Sequence, residues 1–495
     1  MFTVKPKEQL FDSTQAIVIG LYHENRHQQK VYQEINSALG EVLDEYVKHG
    51  DLSNDYKAVT KVYTLGRIEP KRIYVLGLGK KKELTRSSYI KAIGHLAKEL
   101  KKDRITQFSF VLDSFVSDQF SEEEVSALFA EATLTAIYDF PNYKTNNSKP
   151  PFGFESISVI TDKPIQKALD EGHAYADGIN TARYLVQLPG NLLTATDLAH
   201  FAEHLAHDLG LGIEILEKED LERLGMGALL AVNQGSVEPP KMIVLKYQGK
   251  GKWEDVLGLV GKGITFDTGG YSLKSKEGIV GMKSDMGGAA SVLGAMEIIG
   301  RLKPKENVVA VIPSTDNMIS GSAFKPDDVI TSFSGKTIEV LNTDAEGRLA
   351  LADAITYAKH HGASRLIDVA TLTGGVIVAL GDWITGAMTN DQEYYQSFEE
   401  ITKWTDEPIW QLPYLPVYQE KVRGSELADL NNSPGRKAHP IMAGSFLAEF
   451  AENTPWIHLD IAGTSTSDKE YDLGPKGPTG VMVKSLAAYI LKGQK

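Results

Sequence analysis

Short apolar runs rich in β-branched and aromatic residues alternate with helix-like stretches along nearly the whole chain. Strand, helix and strand in that repeating order leave one main solution, a largely parallel sheet covered by helices. In the first part the strand-like runs are 16–22 (AIVIGLY), 72–78 (RIYVLGL) and 108–115 (FSFVLDSF). The stretches 87–102 and 121–139 read as helices, the second opened by Ser-Glu-Glu-Glu, a capping-box pattern. Residues 141–151 (PNYKTNNSKPP) have the composition of an exposed connector. A strand at 156–161 and a helix at 164–187 follow, with Pro164 at the helix start. A further helix is expected at 196–209. From residue 241 the alternation resumes, with strands expected at 242–247, 255–260, 307–312, 336–341, 365–370 and 456–461. Helices are expected between them, at 287–302, 346–361, 391–404, 443–452 and 480–492. The pattern predicts an α/β protein of two domains. A smaller N-terminal α/β domain covers 1–160, a linker helix 161–190, and a larger α/β domain 191–495, with a central mixed sheet flanked by helices. In such sheets ligands bind beyond the carboxyl ends of the strands.

Composition removes several function classes. The chain of 495 residues has no cysteine, so disulfides, thiolate metal ligands and a cysteine nucleophile are excluded. The net charge of −13 opposes nonspecific nucleic-acid binding over the whole surface. The first residues (MFTVKPKE) lack the apolar run of a signal peptide, and no stretch approaches the ~18 apolar residues of a membrane span. The expectation is a cytoplasmic protein without a membrane partner.

Three local patterns resemble functional motifs and fail on inspection. Gly77-Leu78-Gly79-Lys80 lacks the spacing of a phosphate loop. The lysines at 80–82 and 101–102 read as a solvated face. His200-Phe201-Ala202-Glu203-His204 fits H-x-x-E-H, with His207 one turn on. But Leu198, Phe201, Ala202, Leu205 and Leu209 recur at helical spacing, which turns the histidines toward solvent. No G-x-S-x-G is present, and the glycines do not fit G-x-G-x-x-G.

The chemistry gathers between Val260 and Ala352. One block reads GKGITFDTGG (261–270), continues to Lys274 and then to MKSDMGGA (282–289); the other reads NTDAEGRL (342–349). They supply four acids, Asp267, Asp285, Asp344 and Glu346, and three bases, Lys262, Lys274 and Arg348, among small residues. Four acids in one enclosed site raise one another's pKa and protonate unless cations compensate them. Two divalent ions would do so. Asp344 and Glu346, two apart, point the same way if the segment is extended. Oxygen ligands favour Mg, Mn or Ca, and zinc becomes plausible if Lys262 joins as a neutral amine, its pKa depressed by coordination and burial. Lys274 as ammonium suits a developing oxyanion. The Arg348 fork suits a carboxylate-like anion. Two ions flanking a water would activate it for attack.

At these residues the chain resembles the leucine (cytosol) aminopeptidase family. NTDAEGRL (342–349) matches the family signature in full, and GKGITFDTGG and MKSDMGGA match its other metal-site segments. The likeness continues through DVATLTGG (368–375) and HLDIAG (458–463), covering roughly 175–495. Residues 1–160 match only in overall pattern, like the family's variable, macro-like N-terminal domain. The resemblance implies hydrolytic removal of N-terminal residues, leucine and similar apolar ones preferred, from peptides. It implies two divalent ions, Mn2+ or Zn2+: one held by Asp267, Asp344 and Glu346, the other by Lys262, Asp267, Asp285 and Glu346. It implies catalytic roles for Lys274 and Arg348, with bicarbonate bound on Arg348 as general base. Met282, Thr371 and Gly374 match lining positions for the first side chain. A homohexamer is implied as well. Segment 431–442 (NNSPGRKAHPIM) departs from the Gly/Ala-rich form expected there. Some bacterial relatives also bind DNA, and the basic run 70–104 is the feature here that would support such an accessory role. A two-metal phosphoesterase is the third reading that the acids alone leave open.

Overall fold

The computed structural model describes residues 1–24, 29–146 and 151–493. The chain forms two compact units, Met1–Asp177 with Lys469–Lys476, and Gly178–Asp468 with Gly477–Lys495.

The first unit is built on a six-stranded sheet. Its order is Phe2–Lys5, Ser156–Ile160, Gln107–Val111, Ala16–Tyr22, Arg72–Gly79 and Val59–Tyr63, and only the last strand runs antiparallel to its neighbour. Ala16–Tyr22 is buried on both faces, which is why it reads as an unbroken apolar run. Ala16 and Val18 point into one core with helices Arg86–Lys102 and Glu122–Ala136. Ile17, Ile19 and Leu21 point into the other, under helices Lys30–Ala38 and Val42–His49.

The helix expected at 87–102 starts at Arg86, where Thr85 and Ser88 close a reciprocal capping box. In the second helix Ser121 accepts from the Glu124 N–H. The run 108–115 is shorter as a strand than expected. It gives way at Leu112 to one 3-10 turn, where the Ser114 hydroxyl donates to Val111 O and accepts from Gly20 N–H. The strands Phe2–Lys5 and Val59–Tyr63 carry too little apolar alternation to show in the sequence; their partners in the sheet create them. Of the connector at 141–151, residues 147–150 lie outside the described residues. Four lysines of the basic run form ion pairs: Lys80 with Glu83, Lys98 with Glu470, Lys101 with Asp139 and Lys102 with Glu99.

The second unit holds a nine-stranded mixed sheet. Its parallel centre is Trp456–Asp460, Ala363–Ala370, Val256–Gly261 and Asn307–Asn317. Lys241–Gln248 and Gly212–Leu216 extend one side antiparallel, and Thr385–Thr389 and Ile409–Gln411 extend the other. Strand Gly263–Asp267 pairs in parallel with the end of Asn307–Asn317. Helices Gly287–Leu302 and Glu346–His360 are buried along almost their whole length. Asp353, on the second of these, is fully buried and accepts from the Leu229 and Phe333 N–H groups, tying the start of helix Gly227–Asn233 and the turn at Phe333 to its own helix.

Two expectations are overturned here. The run 336–341 contributes only Thr337–Glu339, and to a separate three-stranded sheet with Val329–Thr331 and Leu430–Asn431. Asp344 therefore does not follow a strand of the central sheet. Nor is 344–346 extended: Asp344 lies in a turn, and Glu346 begins the helix expected at 346–361, observed as Glu346–His360. The helix expected from 443 begins at His439, with proline in its first turn.

Glu452, after helix His439–Ala451, ties this unit's surface together. Lys336 and Lys359 both hydrogen-bond it and hold its carboxyl down to about 2. A carboxyl depressed on folding adds stability above its unfolded pKa and loses it as pH falls through the folded one. Glu452→Gln is therefore expected to lower the thermal midpoint modestly at pH 7. That deficit should shrink between about pH 4.5 and 2, read by thermal melts across the range. A deficit independent of pH would count against the ion pairs as its cause.

Candidate metal centre

The segments that looked separate in sequence meet at one end of the parallel strands. Lys262 follows Val256–Gly261, its N–H bonded to Val369 O of the neighbouring strand. Asp267 ends strand Gly263–Asp267. Asp285 caps the 3-10 turn Met282–Ser284, just ahead of helix Gly287–Leu302. Asp344 sits in a turn closed by its own N–H on Asn342 Oδ1 (2.9 Å), and Glu346 and Arg348 open the helix that follows. Thr371 leaves strand Ala363–Ala370, and Gly374 starts helix Gly374–Leu380.

Asp267, Asp344 and Glu346 each bring a carboxylate oxygen within 4.8 Å of the other two. Two ammonium groups are laced through the acids. Lys262 Nζ lies 2.7 Å from Asp285 Oδ2 and 3.1 Å from Glu346 Oε1, and donates to Thr371 O at 3.0 Å. Lys274 Nζ lies 2.7 Å from Asp267 Oδ2 and also pairs with Asp344 Oδ1. Asp267 Oδ1 accepts from Gly269 N–H (2.8 Å) and Asn317 Nδ2 (2.9 Å), and Asp285 Oδ1 from the Thr371 hydroxyl (2.8 Å).

Small residues make the cage possible. Gly269 turns the chain at φ +86°, where a Cβ would stand 2.8 Å from Asp344 Oδ1. A Cβ at Gly347 would stand 2.2 Å from Lys262 Cε and displace the ammonium from its carboxylates. The cage opens into a cavity of about 1610 Å3 lined by Lys262, Asp267, Lys274, Asp285, Asp344 and Glu346, and also by Met282, Thr371 and Gly374. Arg348 is the one sequence-identified residue that does not line it. Arg348 is buried, donates from Nη1 to Asn432 O at 2.7 Å, and leaves Nε without a partner among the described residues.

The electrostatics are those of an acid cluster short of cations. Burial, with Glu346 beside it, pushes the Asp267 carboxyl up to about 6. Burial pushes Asp285 up to about 8, aided by Glu346 and Asp267 and opposed by Lys262. Asp344 is raised too, by burial and Glu346. Burial opposes the charge on Glu346, but Lys262 and Lys274 outweigh it and hold the carboxyl below its ordinary value. The depressed pKa expected of Lys262 belongs to a metal-bound amine; without an ion the balance runs the other way. Burial does favour the amine, yet Asp285, Glu346 and Asp267 overcome it and keep the ammonium, above the ordinary lysine range. Burial brings the Arg348 guanidinium down to about 10.

These residues fit divalent ions. Glu346 Oε2 is buried with no hydrogen-bond partner among the described residues, an atom that needs a cation or a donor. Three raised carboxyls say the same. The hard oxygen donors suit Mn2+, and Lys262, if it lost its proton to make way for an incoming ion, would add the nitrogen that makes Zn2+ acceptable. The unpartnered Arg348 Nε likewise fits a small oxyanion.

The positioning residues were not legible in sequence. Asn317 orients Asp267 and ties it to Thr343 O, and Asn432 does the same for Arg348 and the Asn342 carbonyl. Asp460, fully buried, accepts from the Leu372 N–H and the Thr373 hydroxyl and shapes the loop carrying Thr371. The segment HLDIAG pointed toward Asp460; no motif pointed to Asn317. The H-x-x-E-H histidines are exposed, and no metal-ligand cluster is found there among the described residues.

Comparison with known proteins points to the same family as the sequence motifs. Residues 180–487 match the catalytic domain of the cytosol aminopeptidase family, and residues 18–147 match that family's N-terminal domain. The chain is 55% identical over 483 residues to a probable cytosol aminopeptidase of Bacillus licheniformis, covering 97% of each. It is 55% identical over 479 residues to the corresponding protein of Bacillus subtilis, covering 96% of each. Among solved structures it resembles a tomato leucine aminopeptidase mutant (TM-score 0.86, 30% identity, 99% of this chain and 96% of that one). It also resembles the bottromycin maturation enzyme in complex with Mn (TM-score 0.86, 28% identity, 98% and 100%). With both domains matched and relatives this close along the full length, the chain belongs to the cytosol aminopeptidase family and is a metal-dependent aminopeptidase.

Proposed function

We propose that the protein is a leucyl aminopeptidase with two divalent ions per chain, Mn2+ or Zn2+, acting on peptides in the cytoplasm as a homohexamer. In this reading Asp267, Asp344 and Glu346 hold one ion, with the Asp344 carbonyl, and Lys262, Asp267, Asp285 and Glu346 hold the other. When bound, the ions supply Lewis acidity to the scissile carbonyl and lower the pKa of the attacking water. The protein's own groups do the rest. The cavity walls at Met282, Thr371 and Gly374 take the apolar first side chain. Lys274, in the same cavity, steadies negative charge growing on the carbonyl oxygen. Arg348 would hold bicarbonate, which supplies a general base, through the nitrogen left unpartnered. Residues 1–160 would form the variable domain, 161–190 the linker helix and 191–495 the catalytic domain. No helix of the described residues is long and apolar enough to cross a membrane.

One observation carries the reading: four acids and two lysines converge on one cavity, with Glu346 Oε2 buried and unpartnered. The test is metal analysis of the purified protein beside leucinamide turnover with and without chelator. Two Mn2+ or Zn2+ per chain and activity abolished by chelation and restored by metal are expected. Full turnover in metal-free protein would overturn it. Hydrolysis of aryl phosphates with none of aminoacyl amides would favour a phosphoesterase instead.

A further inference from the structure

The cavity carries a second polarity at a distance in sequence from the acid cage. Besides the cage, its titratable lining residues are Lys283, Arg436 and His439. Lys283 is half-buried and donates Nζ to Gln187 O. His439 is uncharged near neutral pH, since burial and the neighbouring Arg348 hold it down to about 4. Arg436 is different. Its side chain is exposed to the cavity and has no ion pair or side-chain hydrogen bond among the described residues. Lys437 beside it does not line the cavity. Arg436 belongs to the segment 431–442.

A substrate's amino-terminal residue lies at the cage, where the scissile carbonyl must be. The departing part of the peptide then extends into the rest of the same cavity. A free guanidinium there lacks a partner that an anion on the departing peptide supplies. We propose that Arg436 is a specificity-determining residue that pairs with a carboxylate on the departing side of the substrate. The carboxylate is either the free C-terminus of a short peptide or an acidic side chain just after the scissile bond. The inference rests on the aminopeptidase reading and adds to it a substrate class. An exposed pair of this kind is worth a small factor, weakened by salt.

The test compares the manganese-loaded wild type with Arg436→Gln on two substrate pairs at low ionic strength. Leu-Gly against Leu-Gly amide reads the C-terminal carboxylate; Leu-Asp amide against Leu-Asn amide reads the acidic side chain. The wild type is expected to prefer the anionic member of at least one pair by about threefold to fivefold in kcat/KM. The preference should lie mainly in KM, because the contact is equal in ground and transition states, and should shrink as salt rises. Arg436→Gln should bring the ratio to one; Lys437→Gln should keep it. Whichever pair responds identifies the carboxylate. A wild type without preference in either pair, or a preference that survives Arg436→Gln, overturns the proposal. Leucinamide carries no carboxylate, so its turnover reads the aminopeptidase assignment alone. It should be the same in wild type and Arg436→Gln, and a loss in the variant would show a structural effect and overturn the specificity role.

Discussion

Lys274→Ala is expected to lower kcat on leucinamide by about 10²–10³-fold while KM stays within about threefold. The ammonium lies in the cavity between Asp267 and Asp344, with two carboxylates and the burial of the site fixing its position. Burial favours the neutral amine, but Asp267, Glu346 and Asp344 hold the proton firmly, so Lys274 stays charged across the working pH range. A fixed positive charge of this kind acts on charge that develops in the transition state, which is why kcat carries the loss. Removing it leaves all four acids in place, so the metal content of the variant should stay at the wild-type value. Steady-state kinetics together with metal analysis decide the matter. Unchanged turnover of a leucine anilide would remove Lys274 from the chemistry. A loss of metal in parallel with activity would recast it as a group that organises the ligands.

Glu346→Gln is expected to cost more, about 10³-fold or greater in kcat, since the Lewis acidity at stake is worth several kcal/mol at about 1.4 kcal/mol per decade. The side chain is buried, one oxygen 3.1 Å from Lys262 and the other without a partner. Glutamine keeps the shape and removes the charge. If Glu346 touches both ions, metal content should fall below two per chain. A second readout is independent of activity. A ligand that binds only the folded state raises stability by about 2.7 kcal/mol at a hundred times its Kd. The wild-type thermal midpoint should therefore rise on adding Mn2+ to chelated protein, and the variant's should rise far less. In chelator the two proteins should melt close together, because Lys262 keeps Asp285 at 2.7 Å in the variant. Two tightly bound ions and full turnover in Glu346→Gln would refute the bridging role.

Both predictions depend on a cage assembled from three separated segments, and the segments differ in how far they could be read in advance. Residues 342–349 hold two of the proposed ligands and the arginine at alternate positions, so local spacing alone exposes them. The helix from 346 was expected; the approach to it was not, because Asp344 lies in a turn closed by Asn342 and not in an extended segment after a central strand. The error has a physical source. Thr337–Glu339 looks like any other short strand, and only pairing with Val329–Thr331 and Leu430–Asn431 puts it outside the central sheet. Asn317 had no signal at all. It matters because its strand register places it beside Asp267.

The alternation of the main strands and helices, the two α/β units and the choice of the four acids follow from the sequence itself. Burial periodicity and residue chemistry are properties of neighbours along the chain. Which lysine faces which acid, why Arg348 is buried while Arg436 is exposed in the cavity, and which asparagine orients Asp267 were decided only in three dimensions. Those outcomes turn on contacts between residues tens to more than a hundred positions apart, such as Lys262 with Thr371 and Arg348 with Asn432. Register and loop closure set such contacts, and no local pattern encodes them.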